Sequence, residues 1–504
     1  MENGGRWGQI VGYGLLSFFG ALFSGYDRIC EAESGLRSGY LEGWGEGMRR
    51  LKRRSFLKLG GGAMASFFLP RARGATGSTD CIIIGAGIAG LAAGDYLRKK
   101  GWGVTILEAR ERVGGRVWSR ADWKGKSPMD MGASWIHGVS RNPMAEQAQR
   151  EGIRTVPFDY EKKAVYQKGG SRISSAEETR IEKNFRKTLK LANATAEELS
   201  RDVSLRKTFT GAEKKLGWSP EELAQLDFKA HTEIEHEFAA SLEELSAKYW
   251  DEGEELPGGD VIVPGGLGSI VEPWARGQDI RFGQAVERVS YDRDGVRVKT
   301  SQGLEMRARK LILTVPLGIL KKGKIVFDPP LPKEKMDAIG RIGFGNYQKT
   351  AFLYEEIFWD PELHLFDWDG GATGKEWAEW VNLYPFTGEP ALMAFHTAQA
   401  AYGIESMTDR DISDAATDAL GSALGKKVPR PKDMIVSKWG HDPYSLGAYS
   451  FMGVGATPID RTMLGKPLLG SLYFAGEAVS ENYSATMHGA YESGLSAAKA
   501  CLGS

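Results

Sequence analysis

The chain has 504 residues, enough for one large domain or for two to three domains of ordinary size. Hydrophobic residues make up 42% of it and charged residues 26%, which is typical of a globular protein with a sizeable core and excludes a disordered, collagen-like or polytopic membrane protein. Lysines and arginines number 65, as do aspartates and glutamates, so the chain lacks the excess positive charge of a nucleic-acid-binding protein and we expect no nucleic-acid partner.

The first distinct feature is a basic segment that leads into an apolar one. Arg53 and Arg54 are followed by Phe-Leu-Lys at residues 56–58, a weakly apolar stretch at residues 59–69, and then small residues. A basic region, a short apolar region and a small-residue exit are the parts of an export signal. Residues 48–75 resemble a bacterial twin-arginine (Tat) signal, which implies the Tat translocase as a partner and a periplasmic or exported protein.

Residues 1–47 precede this signal and admit two interpretations, a leader or a mis-assigned start with Met48 as the true first residue. Within them, residues 7–26 carry no charge and are long enough to span a bilayer. Five of these residues are glycine, which disfavours a helix. We therefore do not expect residues 7–26 to anchor the protein in a membrane.

The pattern after the signal predicts an α/β fold. Residues 80–84 form a short apolar run bounded by glycine, as a buried parallel strand does. A helical pattern follows up to residue 100, and residues 103–107 have the pattern of a second strand. This strand–helix–strand order favours a Rossmann-type domain.

The turn after the first strand has the spacing of a dinucleotide site. Gly85 permits the tight turn, Gly87 lets the backbone approach a pyrophosphate, and Gly90 lets the helix pack on the strand. Glu108 follows Gly85 by 23 residues, where an acid that binds a ribose hydroxyl is expected. Strand, turn, helix, second strand and acid agree, and together they predict a dinucleotide cofactor.

The segment that follows distinguishes the cofactor. Residues 108–116 read E-A-R-E-R-V-G-G-R and add a second glycine turn among several arginines. This segment resembles the flavin-binding signature of the FAD-dependent amine oxidase family. The resemblance implies that Arg110, Gly115 and Arg116 lie against FAD.

Further segments resemble polyamine oxidases and flavin-dependent histone demethylases, in the family's order from residue 79 to residue 500. These segments are residues 129–138, 263–266, 314–320, 343–349, 473–477 and 482–490. The resemblance implies further FAD contacts from Gly132, Ala133, Val286, Trp439, Gly476, Glu477, Thr486 and Met487.

The resemblance also implies a division of the chain into two domains. We expect a Rossmann-type FAD-binding domain of the GR2 type from residues 79–134, 260–342 and 436–502. Residues 135–259 and 343–435 then form an inserted α+β substrate domain.

Amine oxidation by FAD requires a neutral amine. Aromatic side chains around the amine exclude water, and this desolvation lowers the amine pKa and so favours the neutral form. By resemblance, Trp439 lies along the flavin and Tyr449 forms one wall of an aromatic cage. Lys349 holds a water near flavin N5 in the family, and we expect it to promote reoxidation of the flavin by O₂. His137 is a candidate for positioning the substrate amine, with a structural histidine as the equal alternative.

Two positions depart from the monoamine oxidase pattern. Ala448 stands where some relatives attach flavin through a cysteine, so we expect FAD to be bound non-covalently. Thr486 stands where their second cage tyrosine falls, which favours an open, polyamine-type channel with Thr486 in the catalytic site.

Charge is concentrated in residues 221–255, which hold twelve acids against two lysines. A negative channel mouth would attract a polycation. The alternative is a set of solvated faces on helices predicted over residues 219–226 and 231–248. Asp260 follows this region and is a candidate for holding a distal ammonium.

These features predict oxidation of amines, best matching polyamines, to imine or aldehyde with reduction of O₂ to H₂O₂. An L-amino-acid oxidase needs an arginine for the substrate carboxylate. Residues 132–138 contain none, although Arg141 lies just beyond and Arg341 is another candidate. A monoamine or L-amino-acid oxidase and a non-catalytic flavin-bearing binding protein remain the alternatives.

The three cysteines do not have metal-ligand spacing, so no metal site is predicted.

Overall fold

The computed structural model describes residues 79–371 and 375–503. The leader at residues 1–47 and the twin-arginine segment at residues 48–75 lie outside the described residues.

The strands are β1 Thr79–Ile84, β2 Val104–Leu107, β3 Ser119–Arg120, β4 Met129–Asp130, β5 Trp135–Ile136, β6 Val156–Phe158, β7 Lys163–Gln167, β8 Asp260–Ile262, β9 Asp279–Arg281, β10 Val286–Tyr291, β11 Val296–Thr300, β12 Glu305–Leu313, β13 Val326–Asp328, β14 Gly343–Phe344, β15 Tyr347–Leu353, β16 Leu365–Asp369, β17 Glu379–Asn382, β18 Ala391–Thr397, β19 Asp433–Val436, β20 Ser450–Phe451 and β21 Leu472–Phe474. The α-helices are α1 Ile88–Lys99, α2 Pro143–Arg150, α3 Ser175–Glu198, α4 Leu205–Leu216, α5 Pro220–Ala230, α6 His236–Phe238, α7 Gly268–Ala275, α8 Leu317–Lys321, α9 Lys333–Arg341, α10 Tyr384–Thr387, α11 Ala398–Ser406, α12 Asp409–Leu424, α13 Pro458–Gly465 and α14 Met487–Leu502. A π-helical turn covers His231–Glu235, and 3₁₀ turns cover Lys375–Trp377 and Glu477–Val479.

The larger sheet contains strands from both the amino-terminal and the carboxyl-terminal parts of the described chain. Its strand order is β13-β10-β11-β12-β1-β2-β9, and β21 pairs with the second half of β12. Strands β9, β2, β1, β12 and β21 are parallel, so their carboxyl ends meet at one edge, which is where open α/β sheets bind ligands.

Both faces of this sheet are covered, as a continuous apolar strand predicts. Ile83 and Ile312 face a core that includes α1 and α14, whereas Ile82 and Leu311 face a second core on the other side. Helix α14 packs closely against α1 at Gly494. A Cβ at this position would lie 2.2 Å from the Ala89 carbonyl oxygen, so the close approach requires glycine.

A second sheet, with the order β19-β15-β18-β17-β16-β7, supports the opposite side of the site. Its pairs are antiparallel except for β16 and β7, which are parallel. The larger sheet takes its strands from the three segments expected to bind FAD. The predicted domain boundaries themselves stay a prediction.

The elements predicted around the glycine turn are found within one or two residues, as β1, α1 and β2. The helix predicted over residues 231–248 is confirmed only in its first part: a π-helical turn covers His231–Glu235 and α6 ends at Phe238, so the helix predicted beyond residue 238 is wrong. Ala239 adopts a left-handed φ of 54°, and a Cβ on Gly345 would lie 2.3 Å from the Ala239 carbonyl oxygen. The chain therefore turns away here to pack against the start of β15.

Candidate active site

The glycine turn has the geometry that a dinucleotide site needs. Gly85 has a φ of 104°, and a Cβ on Gly90 would lie 1.9 Å from the Gly85 carbonyl oxygen, so neither position accepts a side chain. Gly87 faces open space, since a Cβ there would meet no atom within 4 Å, and it precedes α1 without a side-chain cap. The amides of the first turn of α1 are thus left for an anionic ligand.

Glu108 lies at the carboxyl end of β2 and is buried. Its carboxylate accepts hydrogen bonds from the amides of Ala86 (2.7 Å) and Arg110 (2.8 Å). Its carbonyl oxygen accepts from the amide of Gln284 (2.8 Å), which brings the first residue of β10, Val286, to the same corner of the site.

The two arginines after Glu108 are held by different parts of the chain, Arg110 by the carboxyl-terminal half and Arg112 by the neighbouring Trp118. Arg110 forms an ion pair with Asp442 and lies 5.5 Å from the ring centroid of Tyr444. Arg112, for which the sequence predicted no role, lies 4.9 Å from the ring of Trp118. Burial lowers the pKa of Arg112 to about 10, with Arg110 adding to the effect.

Arg116 joins the amino-terminal glycine block to the carboxyl-terminal flavin block. Its guanidinium donates to the Glu477 carboxylate (2.8 Å) and to the Ala448 carbonyl oxygen (2.8 Å). Glu477 is buried and also accepts from the Ser450 hydroxyl (2.6 Å) and the Ala485 amide (3.0 Å). Burial acts to raise the pKa of Glu477, but Arg116 and these hydrogen bonds outweigh it and lower the pKa.

Of the remaining predicted cofactor residues, Gly132 and Ala133 contact the backbone of Arg116, whereas Thr486 and Met487 lie at the start of α14. A Cβ on Gly132 would lie 1.8 Å from the Arg116 carbonyl oxygen, whereas one on Gly476 would meet no atom within 4 Å. The Ala133 amide donates to the same Arg116 oxygen (3.2 Å). Thr486 caps α14 by accepting from the Gly489 amide (3.0 Å), so its hydroxyl has a structural role at the start of the helix that Met487 begins.

Lys349 is buried in β15 beneath the segment at residues 129–138. Its Nζ donates to the Gly132 carbonyl oxygen (2.5 Å) and to the Ser134 hydroxyl (2.5 Å). Burial lowers the pKa of Lys349 to about 7, although the nearby Asp130 carboxylate acts to raise it. Burial also raises the pKa of Asp130 to about 6. The pair is a buried proton-holding site.

Trp439 is buried beside Lys349 and is fixed at both ends. Its indole Nε1 donates to the Met131 carbonyl oxygen (2.8 Å), and its backbone amide donates to Gln348 Oε1 (3.2 Å). Gln348 Oε1 also accepts from the Ser437 hydroxyl (2.9 Å). The residue before Lys349 in β15 therefore positions the tryptophan.

Tyr449 has an aromatic partner that the sequence did not reveal. Its ring centroid lies 6.0 Å from that of Tyr347, which in turn lies 5.5 Å from that of Phe395. The Tyr449 hydroxyl donates to the His236 carbonyl oxygen (3.1 Å). Tyr347 sits two residues before Lys349, within the lysine-bearing segment at residues 343–349, although nothing in that segment's pattern links it to Tyr449.

His137 is paired with Asp260 at an exposed position of the site. The His137 Nδ1 and Asp260 Oδ2 are 2.7 Å apart, and the same carboxylate accepts from the Tyr160 hydroxyl (2.8 Å). Desolvation opposes protonation of His137, but Asp260, Glu237 and Glu255 outweigh it and raise its pKa. The structure thus brings together His137 and Asp260, which were predicted separately.

Five of the twelve acids of residues 221–255 form ion pairs with basic side chains other than His137. Glu222, Asp227, Glu233, Glu235 and Glu243 pair with Arg180, Arg206, Lys229, His231 or Lys375. Two of the others, Glu237 and Glu255, are electrostatically coupled to His137 and to each other. The acids of the segment therefore divide between ion pairs and electrostatic interaction with His137, and the negative channel mouth stays a prediction.

The chain matches the family model of flavin-containing amine oxidoreductases over residues 88–502. It is a flavin-containing amine oxidase. This amine oxidase is 35% identical to polyamine oxidase 4 of Oryza sativa subsp. japonica, over 83% of its own length and 88% of the relative's. It is 34% identical to polyamine oxidase 2 of Arabidopsis thaliana, over 87% of its own length and 91% of the relative's.

The chain is also similar to a histone demethylase homologue and to an oxidase of known structure. The amine oxidase is 33% identical to the rice lysine-specific histone demethylase 1 homolog 3, over 82% of its own length but only 53% of the relative's. A redesigned putrescine oxidase of known structure shares the fold with a TM-score of 0.69 at 20% identity, over 84% of this chain and 99% of the other.

FAD is the cofactor of this amine oxidase, and the described residues fit it. Open space at Gly87 and Gly476 and the uncapped start of α1 leave room and amide donors for the cofactor. No group of three metal-ligating side chains is arranged to hold a metal ion within residues 79–371 and 375–503. No helix in the described part of the chain is long and apolar enough to cross a membrane.

Proposed function

We propose that this amine oxidase acts on polyamines. The observation that carries the proposal is the acidic character of the site, where Asp260 pairs with His137 (2.7 Å) and Glu237 and Glu255 act on the same histidine electrostatically. Desolvation raises the pKa of Glu237, and the neighbouring Glu255 and Asp260 carboxylates add to that effect. Carboxylates that repel one another in a confined site favour a ligand with several positive charges.

The aromatic residues serve the nitrogen that reacts. Tyr449 and Tyr347 present apolar walls that exclude water, and this favours the neutral amine whose lone pair must be free. FAD held at the glycine turn and by Arg116 would supply the acceptor for a hydride from the carbon next to this nitrogen, and O₂ would be the final acceptor, reduced to H₂O₂. Lys349 holds a proton at Nζ between the Gly132 carbonyl oxygen and the Ser134 hydroxyl.

The geometry disfavours an amino-acid substrate. Arg341, one of the two arginines outside the 132–138 segment that were considered for a substrate carboxylate, is held by Asp460 through hydrogen bonds of 2.5, 3.1 and 3.2 Å. Such a bidentate pair satisfies the guanidinium where it is. Measuring peroxide release from a panel of polyamines, primary monoamines and L-amino acids tests the proposal, and release from amino acids alone would contradict it.

We also propose that the protein is exported through the Tat route to the periplasm or beyond. Support comes from Arg53 and Arg54, followed by the apolar pair and lysine at residues 56–58. Replacing both arginines with lysine is expected to retain the protein in the cytoplasm, as cell fractionation would show. A chain that begins at Met48 is expected to be exported as well as the full chain. Export of the double variant would refute the Tat route.

A further inference from the structure

Glu405 is a buried carboxylate near the carboxyl end of α11, and none of its side chain is exposed (0%). It accepts hydrogen bonds from Gln348 Nε2 and from the Gly440 amide (2.7 Å), and it is hydrogen-bonded to His441 Nδ1. A buried carboxylate is costly unless donors surround it, so these three groups are held firmly around it.

Glu405 determines which way round the Gln348 side-chain amide lies. An ionised carboxylate can only accept hydrogen bonds, so the NH₂ group of Gln348 must face it. The same Nε2 also donates to Asn346 Oδ1 (2.7 Å). A flipped amide would instead set its oxygen against the carboxylate at a fully buried position. The amide oxygen of Gln348 is therefore directed away from Glu405.

That oxygen is the acceptor on which two neighbouring strands of the site depend. Gln348 Oε1 accepts from the Ser437 hydroxyl (2.9 Å) and from the Trp439 backbone amide (3.2 Å). The Ser437 oxygen in turn accepts from the Lys349 backbone amide (2.8 Å). Every donor in this chain points toward Glu405, from the Lys349 amide through Ser437 and Gln348. Aligned hydrogen bonds of this kind polarise and strengthen one another.

Glu405 also holds the turn after Trp439 directly, through the Gly440 amide. A Cβ on Gly440 would lie 2.6 Å from Asn346 Nδ2 and 2.7 Å from Glu405 Oε2, so the close approach requires glycine. The backbone of Trp439 is thus fixed on both sides, by Gln348 at its own amide and by Glu405 at the next one.

We propose that Glu405 is a positioning residue for amine oxidation, whose negative charge sets the direction of the hydrogen bonds that orient Trp439 and Lys349 toward FAD. Gln348 and Lys349 are successive residues of β15, so their side chains point to opposite faces of the sheet. Glu405 therefore acts from behind the strand, through Gln348 and Gly440. The proposal applies whichever amine reacts, and so it does not depend on the proposed polyamine function.

Two variants separate this role from a general contribution to stability. Glu405→Gln keeps the shape of the side chain but removes the charge, so Gln348 is no longer forced into one orientation. Combining it with Gln348→Glu reverses the pair. The carboxylate at position 348 then accepts from Ser437 and Trp439, and the amide at position 405 donates to it and accepts from Gly440. The combined variant therefore restores the direction of the chain.

The first readout needs no substrate. An indole in contact with an oxidised flavin quenches its fluorescence, so the emission of bound FAD reports the placement of Trp439. We expect Glu405→Gln to emit more brightly than wild type and the combined variant to return most of the way. The second readout is stopped-flow reduction of the flavin by whichever amine of the panel above the wild type oxidises fastest. We expect Glu405→Gln to slow it about tenfold or more. KM for that amine is expected to change less than about twofold.

The matched control is Glu389→Gln. Glu389 is a half-buried carboxylate that likewise accepts from two backbone amides, those of Lys126 (2.6 Å) and Ser127 (2.7 Å), in a different loop. It is expected to lower the melting temperature while leaving both readouts unchanged.

If Glu405→Gln yields too little folded holoenzyme, Gln348→Met removes the same acceptor for Trp439 and is expected to brighten the emission in the same way. Wild-type emission and reduction in the variant tested would overturn the proposal. So would equal changes in Glu389→Gln, or a combined variant that recovers neither readout.

Discussion

Lys349 and Gly132 are 217 residues apart in the chain, yet the lysine Nζ donates a hydrogen bond of 2.5 Å to the glycine carbonyl oxygen. Gly132 cannot be replaced without disturbing this contact, because a Cβ there would lie 1.8 Å from the Arg116 carbonyl oxygen. The contact thus joins the second sheet to the segment that approaches the cofactor. It places a buried amine where the family resemblance implies flavin N5.

Replacing Lys349 with methionine is expected to leave FAD content unchanged and to slow turnover by about tenfold or more, which corresponds to about 1.4 kcal/mol of barrier. The side chain lies away from the glycine turn and Glu108, so cofactor binding does not depend on it. Stopped-flow measurement of flavin reduction and reoxidation checks this. Wild-type rates in both half-reactions would remove Lys349 from the mechanism.

The same variant is expected to change how stability depends on pH. Burial lowers the pKa of Lys349 in the folded state to about 7, below its ordinary value of 10.5. Between these values the unfolded chain binds a proton that the folded protein does not, so the lysine opposes folding fully below pH 7 and progressively less as the pH rises. The melting temperature of Lys349→Met relative to wild type is therefore expected to fall from about pH 6 to about pH 10. A constant difference across that range would contradict the buried titration.

Replacing Arg116 is expected to reveal the free-energy cost of burying the Glu477 carboxylate without its ion pair. Arg116→Met leaves the buried Glu477 carboxylate without its ion pair, which costs about 3 kcal/mol or more of folding free energy. Adding Glu477→Gln is expected to recover most of that stability but not FAD binding, since Arg116 also lies against the cofactor by resemblance. Denaturant melts and the ratio of FAD to protein in the purified variants test both parts. Full FAD occupancy in the single variant would contradict the role of Arg116.

FAD is expected to leave the protein on acid denaturation. Ala448 stands where a covalent relative carries cysteine, and its methyl group offers no atom for a thioether bond. Spectra of the supernatant and pellet after precipitation decide the point. Yellow colour that stays with the denatured polypeptide would contradict non-covalent binding.

Local pattern was enough to predict the cofactor side of the site. Gly85, Gly87 and Gly90 lie within six residues, and the φ of 104° at Gly85, the open space at Gly87 and the close contact at Gly90 are what that spacing predicts. The helix predicted over residues 231–248 was wrong beyond residue 238 because its end depends on the contact of Ala239 with Gly345, more than 100 residues away.

The substrate side could not be predicted in the same way. Tyr449 and Tyr347 are 102 positions apart, and only the fold brings their ring centroids to 6.0 Å. The pairing of His137 with Asp260 likewise joins residues 123 positions apart. Such contacts come from sheet pairing, which a single sequence does not specify.

The most direct test of the account is a comparison of kcat/KM for spermidine and spermine with the values for a primary monoamine, L-lysine, L-phenylalanine and L-tryptophan. The acidic lining around His137 and the absence of arginine at residues 132–138 predict that the better polyamine exceeds every other substrate by about tenfold or more. A free amino acid that exceeds both polyamines by the same factor would contradict it, while leaving the fold and the flavin site intact.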